Sequence, residues 1–491
     1  MIKPHRILFA LAALPGFAYL AMVAVIIAAM ACKVGAKYSF NINDGWNAYW
    51  ASAAWSGADL YPPPSALKLN NYPPLWFYLS GAIGHLAGDI IRAGRAVAAA
   101  ALLLTGVVIA LIAREIAGTW RAAWIAGTAF IAIFGLIHQD YAGANDPQVL
   151  ASLVMTFAVL LAVRSAGETP GLAVLGRIVA VMIVAGLIKH NIVAAPFSIA
   201  LFYLLSGRPR ALAGFVGLSI VGGALACAGL YLAYGTSIFA SLLFPRPYSA
   251  GIGWAQTFDQ LRQYGLLLAV IPFLAVYPGP KARLVAIYAV VALLLGAALS
   301  GGYGVDFNVF FDALFCISVG LGVMGAAVPA LIAAPERSNG LRLAATAGWI
   351  AVALVPPLIA APSASADLAE AFAAIADTSY AVDLRTIRSA PARTRSAGPG
   401  TVVCRDLALC YWAGRPFTLD LNTLRIIVAH VPALEDTVVG EIEACRFALI
   451  ELDLPDAGED PLTDRMRRAL VSHYTIAQET PFGVYWRPRC R

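Results

Sequence analysis

A handful of short stretches hold most of the residues that could do chemistry. Asp44 stands in Asn43-Asp44-Gly45-Trp46-Asn47-Ala48-Tyr49 and Asp146 in Asn145-Asp146-Pro147. Lys189 and His190 are adjacent, and Arg246 sits in Phe244-Pro245-Arg246-Pro247-Tyr248. Tyr72 precedes a double proline in Asn71-Tyr72-Pro73-Pro74-Leu75-Trp76, and Asn308 ends Gly304-Val305-Asp306-Phe307-Asn308. Carboxylates can take a proton from an attacking hydroxyl, and lysine or arginine can hold a phosphate through charge-assisted hydrogen bonds. His138, Asp140 and His190 admit a divalent metal reading, but no spacing such as H-E-x-x-H accompanies them, so no residue is assigned to a metal. Structural readings stand beside these. Asp44 fits the N-cap of a helix beginning at Gly45, and Asp146 fits an N-cap ahead of a first-turn proline. Lys189 fits a lysine snorkelling from a span end.

The elements that must position these residues belong to a membrane. The 491 residues are 60% hydrophobic and 13% charged, with mean hydropathy +0.75; soluble domains carry about 25% charge. Apolar runs at 7–31, 96–113, 122–137, 147–163, 171–188, 190–206, 211–234, 265–280, 284–300, 313–334 and 343–361 predict about eleven spans by the length criterion. The first run exceeds the 7–15 or so residues of a signal-peptide core, so it reads as a retained span. Two aromatic stretches, 44–57 and 75–87, read as helices lying in the interface. The formal charge of +6 calls for no nucleic-acid partner once the basic residues share one membrane face.

They do share one if the N-terminus is cytoplasmic. The inner ends then hold Lys3 and Arg6, Arg114 and Arg121, Arg164 and Arg177, Arg208 and Arg210, Lys281 and Arg283, Arg337 and Arg342. This predicts a multi-pass protein of the inner (plasma) membrane, with outer segments 32–95, 138–146, 235–264, 301–312 and 362–491 and an outer Lys189-His190 turn. Those outer segments carry the acidic and aromatic residues, which points to chemistry at the outer surface. The domain division is a membrane domain over 1–361, a linker over 362–400 and an extracytoplasmic α/β domain over 401–491. Helix continues to Ala376, and Arg385–Pro399 reads as a basic linker. Strands are predicted at 401–403, 447–452 and 484–486, with helices at 433–445 and 462–473. Four of the seven cysteines, Cys404, Cys410, Cys445 and Cys490, fall in the outer domain, which predicts one or two disulfides with the pairing open.

The loop motifs, in their order and on their side, resemble the GT-C superfamily of membrane glycosyltransferases. They are most similar to the protein O-mannosyltransferase and lipid A aminoarabinose transferase type. The resemblance rests on the acidic residue after the first span, Ser56-Gly57-Ala58-Asp59-Leu60-Tyr61-Pro62, Tyr72-Pro73-Pro74-Leu75, Gly94-Arg95, Asn145-Asp146-Pro147, Gly186-Leu187-Ile188-Lys189 and Gly304-Val305-Asp306-Phe307-Asn308, and spans roughly residues 1 to 330. It implies transfer of a sugar from a polyprenyl-phosphate carrier to a lipid, glycan or protein acceptor outside the membrane. It implies Asp44 as the base, Asp146 as the second acidic residue and Lys189 as the phosphate cation. Arg246 on a lid-like loop is a second phosphate ligand, and Tyr72, His190 and Asn308 complete the substrate-binding set. Some enzymes of this type use a divalent ion and others do not. Several lipid A-modifying relatives carry lysine where this chain has Tyr72, which puts the aminoarabinose donor in doubt.

Two other classes compete. A transporter or flippase places ionisable residues near the bilayer midplane, often within inverted repeats, whereas the spans assigned here carry no Asp, Glu, Lys or Arg apart from Arg177 near an inner end and show no repeat. A non-catalytic scaffold for envelope assembly would use the outer domain as a binding module.

Overall fold

A computed structural model of the chain describes residues 4–376, 379–390, 400–454 and 460–490. Lys3 of the first basic pair and residues 391–399 of the expected linker lie outside them. Among the described residues, eight helices are long and apolar enough to cross a membrane. They lie in α1 (Pro4–Gly35), α4 (Ile90–Ala117), α5 (Trp120–Ile137), α6 (Pro147–Ser165), α9 (Pro209–Tyr234), α13 (Pro280–Leu299), α14 (Phe311–Ala333, with the short turn Phe307–Phe310 before it) and α15 (Asn339–Ala373). Three of the eleven expected spans are shorter. α7 (Leu172–Ile188) and α8 (Ala194–Leu205) are apolar helices of 17 and 12 residues. The run 265–280 is a 3₁₀ turn, Gly265–Ala269, followed by the seven-residue α12 (Val270–Val276). The positive φ of 48° at Gly265 begins the break and Gly279-Pro280 ends it. Such a piece reaches only about 20 Å, short of a bilayer core of about 30 Å.

The long helices also start earlier or run further than the apolar runs, so α1 holds Lys33, α4 holds Arg95 and α14 holds Asp312, all buried. Lys33 and Asp312 sit in terminal turns and Arg95 in the second turn of α4, beside the loops that carry the site. At the opposite end, Glu115 receives Arg164 at 3.1 Å and Lys281 at 2.9 Å, which gathers the ends of α4, α6 and α13. Small residues let the helices close up. A Cβ on Gly322 would meet the Ala122 carbonyl oxygen at 2.3 Å, so α14 lies directly on α5.

Both interfacial helices form. α2 (Asn43–Ser56) and α3 (Leu75–Ala87) pack together, and α3 buries Trp76, Phe77, Ser80, Gly81 and Gly84 on one stripe while Leu75, Tyr78, Leu79, Ile83 and Leu86 stay exposed. The loop after α9 contains α10 (Ser237–Leu242) and α11 (Ala250–Tyr264), and a Tyr248–Gly302 bridge ties it to the loop before α14.

α15 continues through the expected boundary at 361 to Ala373, and α16 (Ser379–Ser389) occupies the first part of the stretch read as a basic linker. The C-terminal domain is a four-stranded sheet, β1 (Thr401–Cys404), β2 (Phe447–Leu452), β3 (Tyr474–Thr480) and β4 (Gly483–Pro488), in the order β1-β2-β4-β3. β1 pairs parallel with β2, while β2 and β3 pair antiparallel with β4. One face of the sheet packs on α19 (Ala433–Glu443) and α20 (Asp464–His473) through Val403, Ile450, Val438, Met466 and Leu470. The other face, with Val402, Leu449 and Tyr485, joins the core of the membrane domain through α16 and α17 (Leu407–Trp412). α18 (Leu424–His430) reaches toward the α9–α14 loops. Disulfides join Cys404 to Cys410 and Cys445 to Cys490.

Candidate functional site

The site is assembled where the ends of α1, α4, α6 and α7 meet α2. Asp146 caps α6, its Oδ1 accepting the Gln148 amide at 2.7 Å, with Pro147 in the first turn as its geometry favours. The same oxygen accepts from Lys189 Nζ at 3.2 Å, and both side chains are buried. Asp146 Oδ2 has no hydrogen-bond partner among the described residues. Lys189 ends α7 and also lies 4.6 Å from the centre of the Tyr72 ring, its Nζ 3.5 Å from the Tyr72 hydroxyl. Burial works against the lysine charge, but Asp146 and Tyr72 outweigh it and the Lys189 pKa ends above its usual value. It is a cation held ready.

A cavity of about 300 Å³ opens beside that pair. Lys189, His190, Arg246, Tyr72 and Asn308 all line it, so five of the residues singled out from the sequence meet at one place. Burial lowers the Arg246 pKa from its ordinary value; its Nη1 donates to the Tyr303 carbonyl at 3.4 Å. The His190 ring opens onto the cavity, yet enclosure there, with Lys189 and Arg246 nearby, pushes its pKa down to about 4. Near neutrality His190 is therefore an uncharged hydrogen-bonding group. The pocket presents two cations and a neutral imidazole, a set suited to a phosphate.

Asp44 lies elsewhere. It falls inside the first turn of α2, not at its N-cap; Ile42 holds that position, and the Asn41 side chain accepts the Asn43 amide. The Asp44 carboxylate is fully buried against Arg95, with Nη2 at 2.5 Å and Nε at 3.2 Å, and its Oδ1 also accepts the Asn145 amide at 2.8 Å. Arg95 spends its remaining donors on the carbonyls of Lys33, Ala36 and Tyr38. The cavity wall at this point is Ile42 and Asn43, the two residues before Asp44.

These contacts explain the Gly94-Arg95 step. A Cβ on Gly94 would stand 1.8 Å from Asn145 Oδ1, so only glycine leaves room for the Asn145 side chain, which donates to the Asp44 carbonyl at 2.8 Å. One arginine and one asparagine thus lock the loop bearing Asp44 to the loop bearing Asp146. Both stand in the quoted motifs, but sequence reading gave them no role. Tyr141 and Asp306 are bonded at 2.9 Å on the cavity wall; Asp306 stands in a quoted motif without a role assigned to it, and Tyr141 carried no signal beyond being a polar residue in a short loop.

His138 turns inward, its ring 4.7 Å from that of Phe311, and burial drives its pKa down to about 3. Among the described residues no three His, Cys, Asp or Glu side chains gather in a metal-holding group, and His138, Asp140 and His190 do not converge.

The architecture was compared with solved structures. The chain superposes on ArnT from Cupriavidus metallidurans bound to undecaprenyl phosphate with a TM-score of 0.62, and on the same protein in the apo state with 0.61. In each case identity is 15% over 95% of this chain and 97% of that one. The fold is the GT-C fold. It extends through the C-terminal domain, beyond the 330 or so residues over which loop motifs were legible. No protein-family model matches the chain, and no curated protein matches it in sequence.

Proposed function

We propose that the chain is a membrane glycosyltransferase that takes a sugar from a polyprenyl-phosphate carrier and passes it to an acceptor hydroxyl at the outer membrane face. The observation that carries this is the convergence of Lys189, Arg246, His190 and Tyr72 on one cavity, with Asp146 in contact with Lys189. Undecaprenyl phosphate, present in one ArnT structure of this fold, is a ligand that the cavity's charges suit.

In the reaction the bond from the anomeric carbon to the phosphate oxygen breaks and a bond to the acceptor oxygen forms. The acceptor proton passes to a carboxylate, and polyprenyl phosphate leaves with its charge held by Lys189 and Arg246. Asp146 Oδ2 has no partner among the described residues, but it is buried and off the cavity wall. The base is assigned to it on the condition that substrate entry opens a path to that oxygen. Asp44, the base by resemblance, serves instead as the partner of Arg95 that fixes the loop. Should Asp44 be the base, the Arg95 pair must open when substrates bind, a change free-enzyme geometry does not forbid. The identity of the sugar is left to measurement; mass spectrometry of envelope glycolipids and glycoproteins with and without the protein would supply it.

The test is undecaprenyl phosphate binding to the purified chain. Lys189→Ala should weaken it roughly 10- to 150-fold, as loss of one charge-assisted hydrogen bond predicts. Affinity unchanged in both Lys189→Ala and Arg246→Ala would remove the phosphate site and the function built on it.

A further inference from the structure

One carboxylate stands among the groups of the phosphate pocket. Asp306 lines the same cavity as Lys189 and Arg246, on the loop before α14, where Gly304 supplies a positive φ of 71°. The loops bearing Asp306 and Arg246 are pinned together. The Tyr303 amide donates to the Pro247 carbonyl at 2.9 Å, and Arg246 Nη1 donates to the Tyr303 carbonyl at 3.4 Å. Gln256 Nε2 adds a bond to the Val305 carbonyl at 3.3 Å. Asp306 nevertheless does not pair with Arg246. Its Oδ2 accepts from the Tyr141 hydroxyl at 2.9 Å and its Oδ1 from the Phe307 amide at 2.7 Å. An anion and a cation are thus held in one cavity without joining.

The charges of this pocket cancel before any ligand arrives. Lys189 rests on Asp146 at 3.2 Å, and Asp306 offsets Arg246. The other titratable groups near Asp306 are Tyr141 and Asp140 from the loop before α6, Tyr72 ahead of α3, and His190 after α7. Glycosyl transfer, by contrast, changes the charge of the ligand. The donor is a phosphate diester with a single negative charge. When the anomeric C–O bond breaks, the phosphate oxygen keeps the electron pair, and the product is a monoester. Its second ionisation falls near pH 6 or so, which gives it about −1.5 to −2 near neutrality. Lys189 and Arg246 attract both species. Asp306 repels both, and it repels the product more in proportion to the added charge.

We infer that Asp306 sets the pocket's preference for the singly charged donor over the doubly charged product, and so loosens polyprenyl phosphate once the sugar has left. This rests on the glycosyl-transfer reading above. Asp306 is exposed, so solvent tempers the repulsion, and the discrimination amounts to about three- to ten-fold at low salt.

The experiment measures binding of two ligands to the full chain in detergent at low salt. One is undecaprenyl phosphate; the other is its monomethyl ester, a diester with one charge and no sugar. Asp306→Asn keeps a side chain that caps the turn well and removes the charge. At pH 8 it should raise affinity for undecaprenyl phosphate about three-fold or more beyond any gain for the methyl ester. At pH 5, where each ligand carries about one charge, the two gains should match. His190, with its pKa pushed down to about 4, stays neutral across this range. A titration elsewhere in the protein, Asp140 included, acts on both ligands and drops out of the comparison. Asp306→Glu, which restores the charge, should follow the parent. Equal gains at pH 8, a difference that persists at pH 5, or a Glu variant that follows the Asn variant would overturn the inference. If neither ligand binds the parent, the donor reading falls and this inference falls with it. If both bind and no differential gain appears, this inference alone is removed.

Discussion

Asp44 and Asp146 look alike in sequence, each an acidic residue beside a helix start, yet they end in different electrostatic company. Asp146→Asn keeps the cap, because Asn serves an N-cap about as well, and it removes the proton acceptor. Transfer should fall roughly 10² to 10⁴-fold, and turnover near that of the parent would return the base to Asp44; because the change also leaves the buried Lys189 without its carboxylate, the melting temperature should drop as well. Asp44→Asn preserves no cap, because Ile42 holds that position. It leaves Arg95 fully buried without its anion, and breaking such a pair costs about 3–5 kcal/mol. Thermal unfolding in detergent would register that loss before any assay. His138 gives a pH signature. Its folded pKa of about 3 lies below its unfolded value, so the unfolded chain binds the proton more readily. The resulting penalty is absent above pH 6.5 or so and grows as pH falls toward 3. Between pH 7 and 5 wild type should lose about 2 kcal/mol more than His138→Phe, checked by melting both at each pH. The loop motifs announced the cavity residues because charged groups are scarce in this chain. The Arg95 contact with Asp44 was illegible, since nothing in a sequence says which of several carboxylates an arginine 51 positions away will choose.

At the scale of elements, the same division holds. Apolar length found the helices, but α12 shows its limit: the composition of 265–280 suits a span, and Gly265 with Gly279-Pro280 breaks it. Aromatic content placed α2 and α3 in the interface, while their partner could not be foreseen. α17 packs so closely on α2 that a Cβ on Gly45 would stand 2.0 Å from the Ala408 amide nitrogen. Around that contact Trp46 Nε1 donates to Asp420 at 3.0 Å and Tyr49 to the Arg415 carbonyl at 2.6 Å. Gly45→Ala should therefore loosen the C-terminal domain from the loop that bears Asp44. Limited proteolysis should cut the C-terminal domain faster in this variant; an unchanged digest would mean that the contact is not what holds the domain. The disulfides can be ranked in the same way. Cys445–Cys490 closes a 45-residue separation and Cys404–Cys410 one of 6, so by chain entropy their removal should cost about 4 and about 2 kcal/mol. Melting of the two double-serine variants would test the order.

For the whole molecule, the loops bearing the site and the C-terminal domain lie at one end of the bundle, and the Glu115 cluster lies at the other. The positive-inside rule predicts a cytoplasmic place for that second end; on that reading a C-terminal alkaline phosphatase fusion should be active and a green fluorescent fusion dark. The reverse pattern would move the proposed chemistry to the wrong face. The contacts of α18 bear on how the protein is made. Phe244 and Tyr303, from the loops that carry and contact Arg246, pack with Ile426, Ile427 and His430. Synthesis runs from the N-terminus, so the bundle and its loops are complete while their clamp is still unwritten. A ribosome that stalls before residue 400 would release an inserted bundle whose 235–264 loop keeps its Tyr248–Gly302 bridge but lacks its packing on α18. Truncated chains would then occupy the membrane with the proposed phosphate pocket short of one of its supports, the packing of Phe244 and Tyr303 on α18.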